Sequence, residues 1–113
     1  TSSIRSGHAC DMLVYSSAWL HSTGALGHWD LMLRARALDN QVWVLGPNHA
    51  RDESNETVMH GDSKITSPWG QVLSGCENDE ADGCVVADLR KEDLSDLRDR
   101  IPLLSCRQPG LYL

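Results

Sequence analysis

Residues 28–41, His-Trp-Asp-Leu-Met-Leu-Arg-Ala-Arg-Ala-Leu-Asp-Asn-Gln, place the tightest limit on what this chain can fold into. Apolar residues recur there at helical spacing, and Trp29, Leu31, Met32, Leu33, Ala35, Ala37 and Leu38 fill most of the circumference. At 100° per residue Arg34 and Arg36 point about 200° apart, so one water-facing stripe cannot hold both. The spacing therefore predicts a helix that presses at least one arginine against protein. Asp30, four residues before Arg34, and Asp39, three after Arg36, are the acceptors within reach. Two surface ion pairs are one outcome; a buried or interface guanidinium on a planar acceptor is the other.

The remaining pattern is a mixture of short strands and helices. Residues 12–15 form an apolar run of strand length, and 16–27, rich in Ser, Thr, Gly and His, read as a loop at its C-terminal end. In layered α/β folds such loops line ligand crevices. Residues 41–45 read as a second strand ended by Gly46-Pro47-Asn48, and 49–60 are polar and aperiodic, hence a surface loop. Residues 63–66 and 71–73 form a hairpin through Ser67-Pro68-Trp69-Gly70, whose proline and glycine suit a type I turn. A further strand is expected at 84–87. Leu94, Leu97 and Ile101 then follow helical spacing until Pro102. The tail, 103–113, carries five apolar side chains, which favours docking on a neighbour over disorder. Such a mixture implies an α/β layered domain.

Charge and composition exclude several function classes. A formal net charge of −6, with acids gathered at 77–82 and at Glu92, Asp93, Asp96 and Asp99, argues against nucleic-acid binding, which needs a basic face. No apolar run approaches the roughly 18 residues of a membrane span, and no secretory leader opens the chain, so a soluble protein is expected. The four cysteines contain no Cys-x-x-Cys pair and the histidines are scattered at 8, 21, 28, 49 and 60, which speaks against a metal site. No cofactor is expected. Cys76 and Cys84 flank the acidic segment and could approach each other, but without a secretory signal reduced thiols are the better reading. Phenylalanine is absent while Trp19, Trp29, Trp43 and Trp69 are present, large surfaces suited to layer and subunit interfaces. A chain of 113 residues starting at Thr1 without methionine is expected to be a processed or truncated piece.

Five motifs in order resemble the nitrilase, or carbon–nitrogen hydrolase, superfamily. The helix at 28–40 is similar to its His-Trp-Glu-x-Leu-x-Arg-x-Arg-Ala-x-Glu/Asp-Asn, followed by Gln41-Val42-Trp43-Val44-Leu45. Leu13-Val14-Tyr15-Ser16-Ser17-Ala18-Trp19 resembles its Tyr-Pro-Ser-Ala-Phe strand end, and Thr23-Gly24 its Thr-Gly before the His-Trp pair. Gly61-Asp62-Ser63 with Ser67-Pro68-Trp69-Gly70 resembles the Gly-x-Ser and Asp-Pro-Trp-Gly hairpin. Arg98, Ile101-Pro102, Arg107 and Leu111-Tyr112 resemble the closing Arg-x-x-Ile-Pro and Arg-x-x-x-Leu-Tyr.

The resemblance implies a four-layer αββα sandwich of which this chain supplies part of each sheet and two helices, with the tail crossing a dimer partner. It implies hydrolysis of a small amide by a Glu-Lys-Cys constellation lying before this chain. None of Cys10, Cys76, Cys84 or Cys106 has the family's Cys-Tyr/Trp-Asp-x-Arg context, and neither Lys64 nor Lys91 sits in a segment like its catalytic-lysine strand. The expected function is thus the C-terminal part of an amidase, with a noncatalytic structural subunit as the alternative and a cytoplasmic or mitochondrial location. By the same resemblance Trp19 walls the substrate pocket and the Thr23 hydroxyl reaches the substrate's polar end; the competing reading makes Trp19 core and Thr23 turn chemistry. Ser16 in place of the usual proline, and one extra residue between Thr23 and His28, depart from the pattern. Two other constellations carry less. Ser63 has no later histidine as base, and Cys10 with His8 or His28 would put a nucleophile at the mouth of a buried strand, where a thiol behaves as a small hydrophobe.

Overall fold

The computed structural model describes residues 10–76 and 82–112. The acidic segment at 77–81, His8 and Leu113 lie outside them. A four-stranded sheet in the order β1-β2-β3-β4 organises the chain: β1 Met12–Val14, β2 Trp43–Gly46, β3 Lys64–Thr66 and β4 Val72–Gly75. β1 lies parallel to β2, in register Leu13 with Val44, and parallel neighbours need a crossover. Here α1, His21–Gly24, and α2, His28–Asn40, make it. β3 and β4 then return antiparallel, with a register shift between Ile65 and Thr66. The Ser67–Gly70 turn closes this hairpin through Gly70 N–H to the Ser67 carbonyl at 2.9 Å, as the proline and glycine dictate.

α2 covers one face of the sheet. Trp29, Leu33 and Ala37 recur at helical spacing and bury against Val42 and Val44, with Leu13 and Trp19 packed at the margin. Each fully buried large side chain contributes about 1.5–3 kcal/mol relative to exposure. The close approach needs Gly46: a Cβ there would stand 2.5 Å from Leu33 Cδ1 and 2.9 Å from Trp29 Cζ2. Side chains alternate along the strands, so Trp43 and Ile65 point to the opposite face. They are buried, whereas Met12 and Val14 on the edge strand are 45 % and 59 % exposed.

α3, Lys91–Arg100, buries Leu94 and Leu97. Arg98 ties it to the start of β1 and the end of α2. Its Nη1 donates to Asp11 Oδ1 at 2.8 Å, Nη2 to the Cys10 carbonyl at 3.0 Å, and Nη2 and Nε to the Gln41 carbonyl at 2.9 and 3.2 Å. Gln41 answers by donating Nε2 to the Ile101 carbonyl at 2.7 Å.

Several expectations change. The second strand starts at Trp43 because Gln41 caps α2 in a left-handed conformation at φ 50°. Residues 84–87 form no strand, having no ladder partner among the described residues. Arg36 is exposed and has no carboxylate partner among the described residues, so the buried-arginine expectation fails there. Arg34 meets Asp30 at 3.5 Å and leans across the hairpin to donate Nε to the Gly70 carbonyl at 2.7 Å, with half its side chain in water. The buried cation is instead Lys64, 7 % exposed. Cys10 is exposed rather than part of a buried strand. The tail folds into a short 3₁₀ turn at Pro109–Leu111, with Leu111 and Tyr112 exposed. No helix among the described residues is long and apolar enough to cross a membrane.

Candidate functional site

The loop that leaves β1 and the segment entering β3 meet beyond the C-terminal end of β2. Ser17 bridges Asn48 in parallel, and Leu20 bridges Met59 in antiparallel fashion. Pro47 ends β2, so the chain can no longer pair as a regular strand, and the Asn48 side chain takes over the connections. Its Oδ1 accepts from the amides of Trp19 at 2.8 Å and His49 at 3.0 Å, and its Nδ2 donates to the Gly61 carbonyl at 2.7 Å. Ser63 completes the pin: its Oγ accepts from the Asn48 amide at 2.8 Å and donates to the Asn48 carbonyl at 3.2 Å. That hydroxyl is a structural fastener here.

Trp19 and Thr23, the two candidate substrate contacts, sit on this loop. The Trp19 ring lies 5.4 Å from that of Trp29, tilted by 44°, which anchors it on α2. Its indole Nε1 is buried with no acceptor among the described residues, a donor whose lost hydration costs about 1–3 kcal/mol until something accepts it. Thr23 is half-buried in α1 with its Oγ1 3.4 Å from the Leu20 carbonyl, so its hydroxyl makes a long local contact.

Beneath the loop runs a line of polar groups that the motifs did not reveal. His21 Nδ1 and His60 Nδ1 are 3.2 Å apart, with the rings stacked at 5.4 Å and 18°. His60 Nε2 stands 3.8 Å from Asp62 Oδ2, and the same carboxylate oxygen lies 2.6 Å from Lys64 Nζ. Lys64 also meets Asp30 Oδ1 at 2.8 Å, crossing from sheet to α2. Burial alone would discourage charge on Lys64, but the two carboxylates outweigh it and hold its pKa above 10.5. Burial likewise opposes charge on Asp30, and Lys64, aided by Arg34, reverses this and holds it below 3.8. Trp29 Nε1 donates to the Asp62 carbonyl at 2.8 Å, which fixes the carboxylate-bearing residue over the helix. A lysine within the first strand of the hairpin, at Lys64, was the one available signal, since a strand-buried ammonium needs a carboxylate.

Among the described residues no three His, Cys, Asp or Glu side chains gather so as to hold a metal. Cys10 lies at the opposite end of β1 from this loop, its carbonyl held by Arg98. Among the described residues the site therefore offers a wall and donors, with no nucleophile and base placed together.

Residues 4–99 match the carbon-nitrogen hydrolase family model. The chain belongs to that family. Among curated relatives, the omega-amidase NIT2 of Xenopus tropicalis is 43 % identical over 103 residues, which cover 91 % of this chain and 36 % of the relative. Omega-amidase NIT2 of Homo sapiens is 38 % identical over the same shares. The chain thus spans about a third of the length of the curated relatives it matches. Among solved structures, the C. elegans NitFhit protein superposes with TM-score 0.85 at 30 % identity, covering 99 % of this chain and 26 % of that one. Saccharomyces cerevisiae Nit3, a member of branch 10 of the nitrilase superfamily, superposes with TM-score 0.81 at 29 % identity, covering 94 % and 37 %. The α/β sheet and helices of this carbon–nitrogen hydrolase chain are accordingly part of a nitrilase fold.

Proposed function

We propose that this chain is the C-terminal part of an amidase that releases ammonia from a small terminal amide. The Glu, Lys and Cys of the reaction would be supplied by sequence outside it. The observation that carries this reading is the identity with omega-amidases, 43 % across nine-tenths of the chain. Trp19 then walls the amide pocket. Its buried indole N–H, without an acceptor among the described residues, supports that role, because such a donor is suited to an acceptor brought from outside, such as an amide carbonyl. Thr23, four residues on in α1, would offer its hydroxyl to the polar end of the substrate. The noncatalytic-subunit alternative has no observation of this structure in its favour.

The test is ammonia release from a panel of small primary amides by the full translated product of the gene, unaltered and as Trp19→Phe. Turnover in the unaltered protein, with kcat/KM lowered about tenfold in Trp19→Phe for loss of one hydrogen bond, is the expected result. Absence of turnover on every amide overturns the enzyme reading; turnover unaffected by Trp19→Phe overturns the role of the indole donor.

A further inference from the structure

Cys76 follows β4, and its amide extends the hairpin ladder by donating to the Ser63 carbonyl at 2.9 Å. Its main chain is thereby held at the strand end, while its half-buried thiol reaches Gly83: a Cβ there would stand 3.4 Å from Cys76 Sγ. The sulfur thus lies in contact with the residue that precedes Cys84. Cys84 is exposed, and its own Sγ stands 3.8 Å from the Val85 carbonyl, a weak local contact. Among the described residues no main-chain hydrogen bond ties Gly83 or Cys84, and neither belongs to a strand or helix. A disulfide sets its two Cα atoms about 5.5–6 Å apart, and a turn of Cys84 toward the sulfur beside its neighbour is the movement that reaches this. One thiol is anchored by the ladder and the other sits on main chain that can make that turn.

We propose that Cys76 and Cys84, both free thiols here, are an oxidative modification site at which hydrogen peroxide closes a disulfide. Cys84, the exposed partner, reacts first. Its thiolate attacks one peroxide oxygen, the O–O bond breaks, and the sulfur keeps OH as a sulfenic acid while the other oxygen leaves as water with the thiol's proton. The Cys76 thiolate then attacks the Cys84 sulfur. The S–S bond forms, the S–O bond breaks, and hydroxide departs as water with the proton of the Cys76 thiol. Each sulfur gives up one electron, and the two peroxide oxygens end as two waters. Glu77, Asp79, Glu80 and Asp82 lie between the two cysteines in sequence, and this negative charge disfavours an anionic oxidant such as a glutathione-type disulfide but not neutral peroxide. Seven intervening residues make the second step intramolecular, with an effective thiol concentration on the order of millimolar. The closed bond would fasten the 83–84 segment to the end of the β3–β4 hairpin.

Peptide mapping reads the bond directly, without reference to substrate. The full translated product of the gene, reduced and at micromolar concentration, is treated with equimolar hydrogen peroxide, its remaining thiols are alkylated, and it is digested with trypsin. No Lys or Arg lies between Lys64 and Arg90, so one peptide, 65–90, carries both cysteines, while Cys10 and Cys106 fall in two others and serve as internal controls. The expected product is peptide 65–90 lighter by two hydrogens and unalkylated, at least about tenfold more abundant than any bond involving Cys10 or Cys106. Cleavage of that peptide at its acidic residues should leave fragments that separate only on reduction. Cys76→Ser removes the resolving thiol, so dimedone should then label Cys84 as a trapped sulfenic acid. Alkylation of Cys76 and Cys84 to the same extent as Cys10 and Cys106, or pairing of either with another cysteine or another molecule, overturns the proposal. Dimedone labelling of Cys76 in Cys84→Ser with none of Cys84 in Cys76→Ser overturns the assignment of Cys84 as the thiol that meets peroxide.

Discussion

Replacing Arg98 with alanine is expected to destabilise the protein by about 3 kcal/mol, a sum built from three acceptors of unequal worth. The Gln41 carbonyl is the main one. Gln41 is only 3 % exposed, and its carbonyl, freed from the α2 ladder by the left-handed cap, receives both Nε and Nη2 of Arg98. An acceptor stranded at such a site costs about 1–3 kcal/mol. The Cys10 carbonyl, on an exposed residue, can turn to water and adds about 0.5 kcal/mol, the low end for a neutral acceptor. The Asp11 pair, with 39 % of the carboxylate side chain exposed, is held below about 1 kcal/mol by solvent screening. Arg98→Lys keeps a charge but not the planar fork, so it serves one acceptor at a time and is expected to recover about half the loss. Urea unfolding with an unchanged slope and a lowered midpoint is the readout. Arg36→Ala, which removes an exposed guanidinium with no carboxylate partner among the described residues, is the control and is expected to stay within about 0.5 kcal/mol. A loss below about 0.5 kcal/mol for Arg98→Ala, or equal losses at the two arginines, would refute the assignment of Arg98 as the tie between α3 and the sheet.

The Lys64 bridge predicts a pH response with a definite sign. Asp30 is held below its ordinary 3.8, so its contribution is present above that value and is lost as pH falls through the lower, folded value. Lys64 is held above 10.5, so its contribution is complete below that pH and is lost as pH rises beyond it. Lys64→Met should therefore flatten the fall in stability between about pH 5 and 2, measured by thermal unfolding at stepped pH; an unchanged acid limb would show the bridge to be energetically idle. Gly46→Ala drives a methyl into Leu33 and Trp29 and is expected to cost about 1–3 kcal/mol of overpacking, seen as a lowered Tm. An unaltered Tm would mean that α2 can lift from the sheet at no cost.

The elements with strong local signals were legible. α2 and α3 announce themselves by spacing, and the β3–β4 hairpin by Pro68 and Gly70 at fixed turn positions. The motifs from Tyr15 to Tyr112 pointed to the nitrilase superfamily and its fold, which the family match and the superpositions bear out. Contacts between distant segments left no such trace. The motif His-Trp-Asp put the acid of Asp30 beside Arg34, four residues on, yet its closer partner is Lys64, 34 residues on in β3. The two arginines of α2 looked alike as a pattern, and only the hairpin turn standing over Arg34 separates them. His21 and His60, 39 residues apart, pair because Asn48 and the Leu20–Met59 bridge bring their segments together, and neither event has a local signature. The run at 84–87 shows the reverse failure: β-forming composition without a strand beside it is not a strand.

The Asn48 pin gives the two ends of the Trp19 loop different chemical tempers. Every contact it makes is between uncharged groups, an amide and a hydroxyl meeting main-chain amides and carbonyls. Neither acid nor salt weakens such a fastening directly, whereas both bear on the ion pairs of Lys64 with Asp62 and Asp30. A solution that loosens one end of this loop therefore leaves the other in place. Trp19, bonded to that asparagine through its own amide, belongs to the end that acid and salt leave fastened.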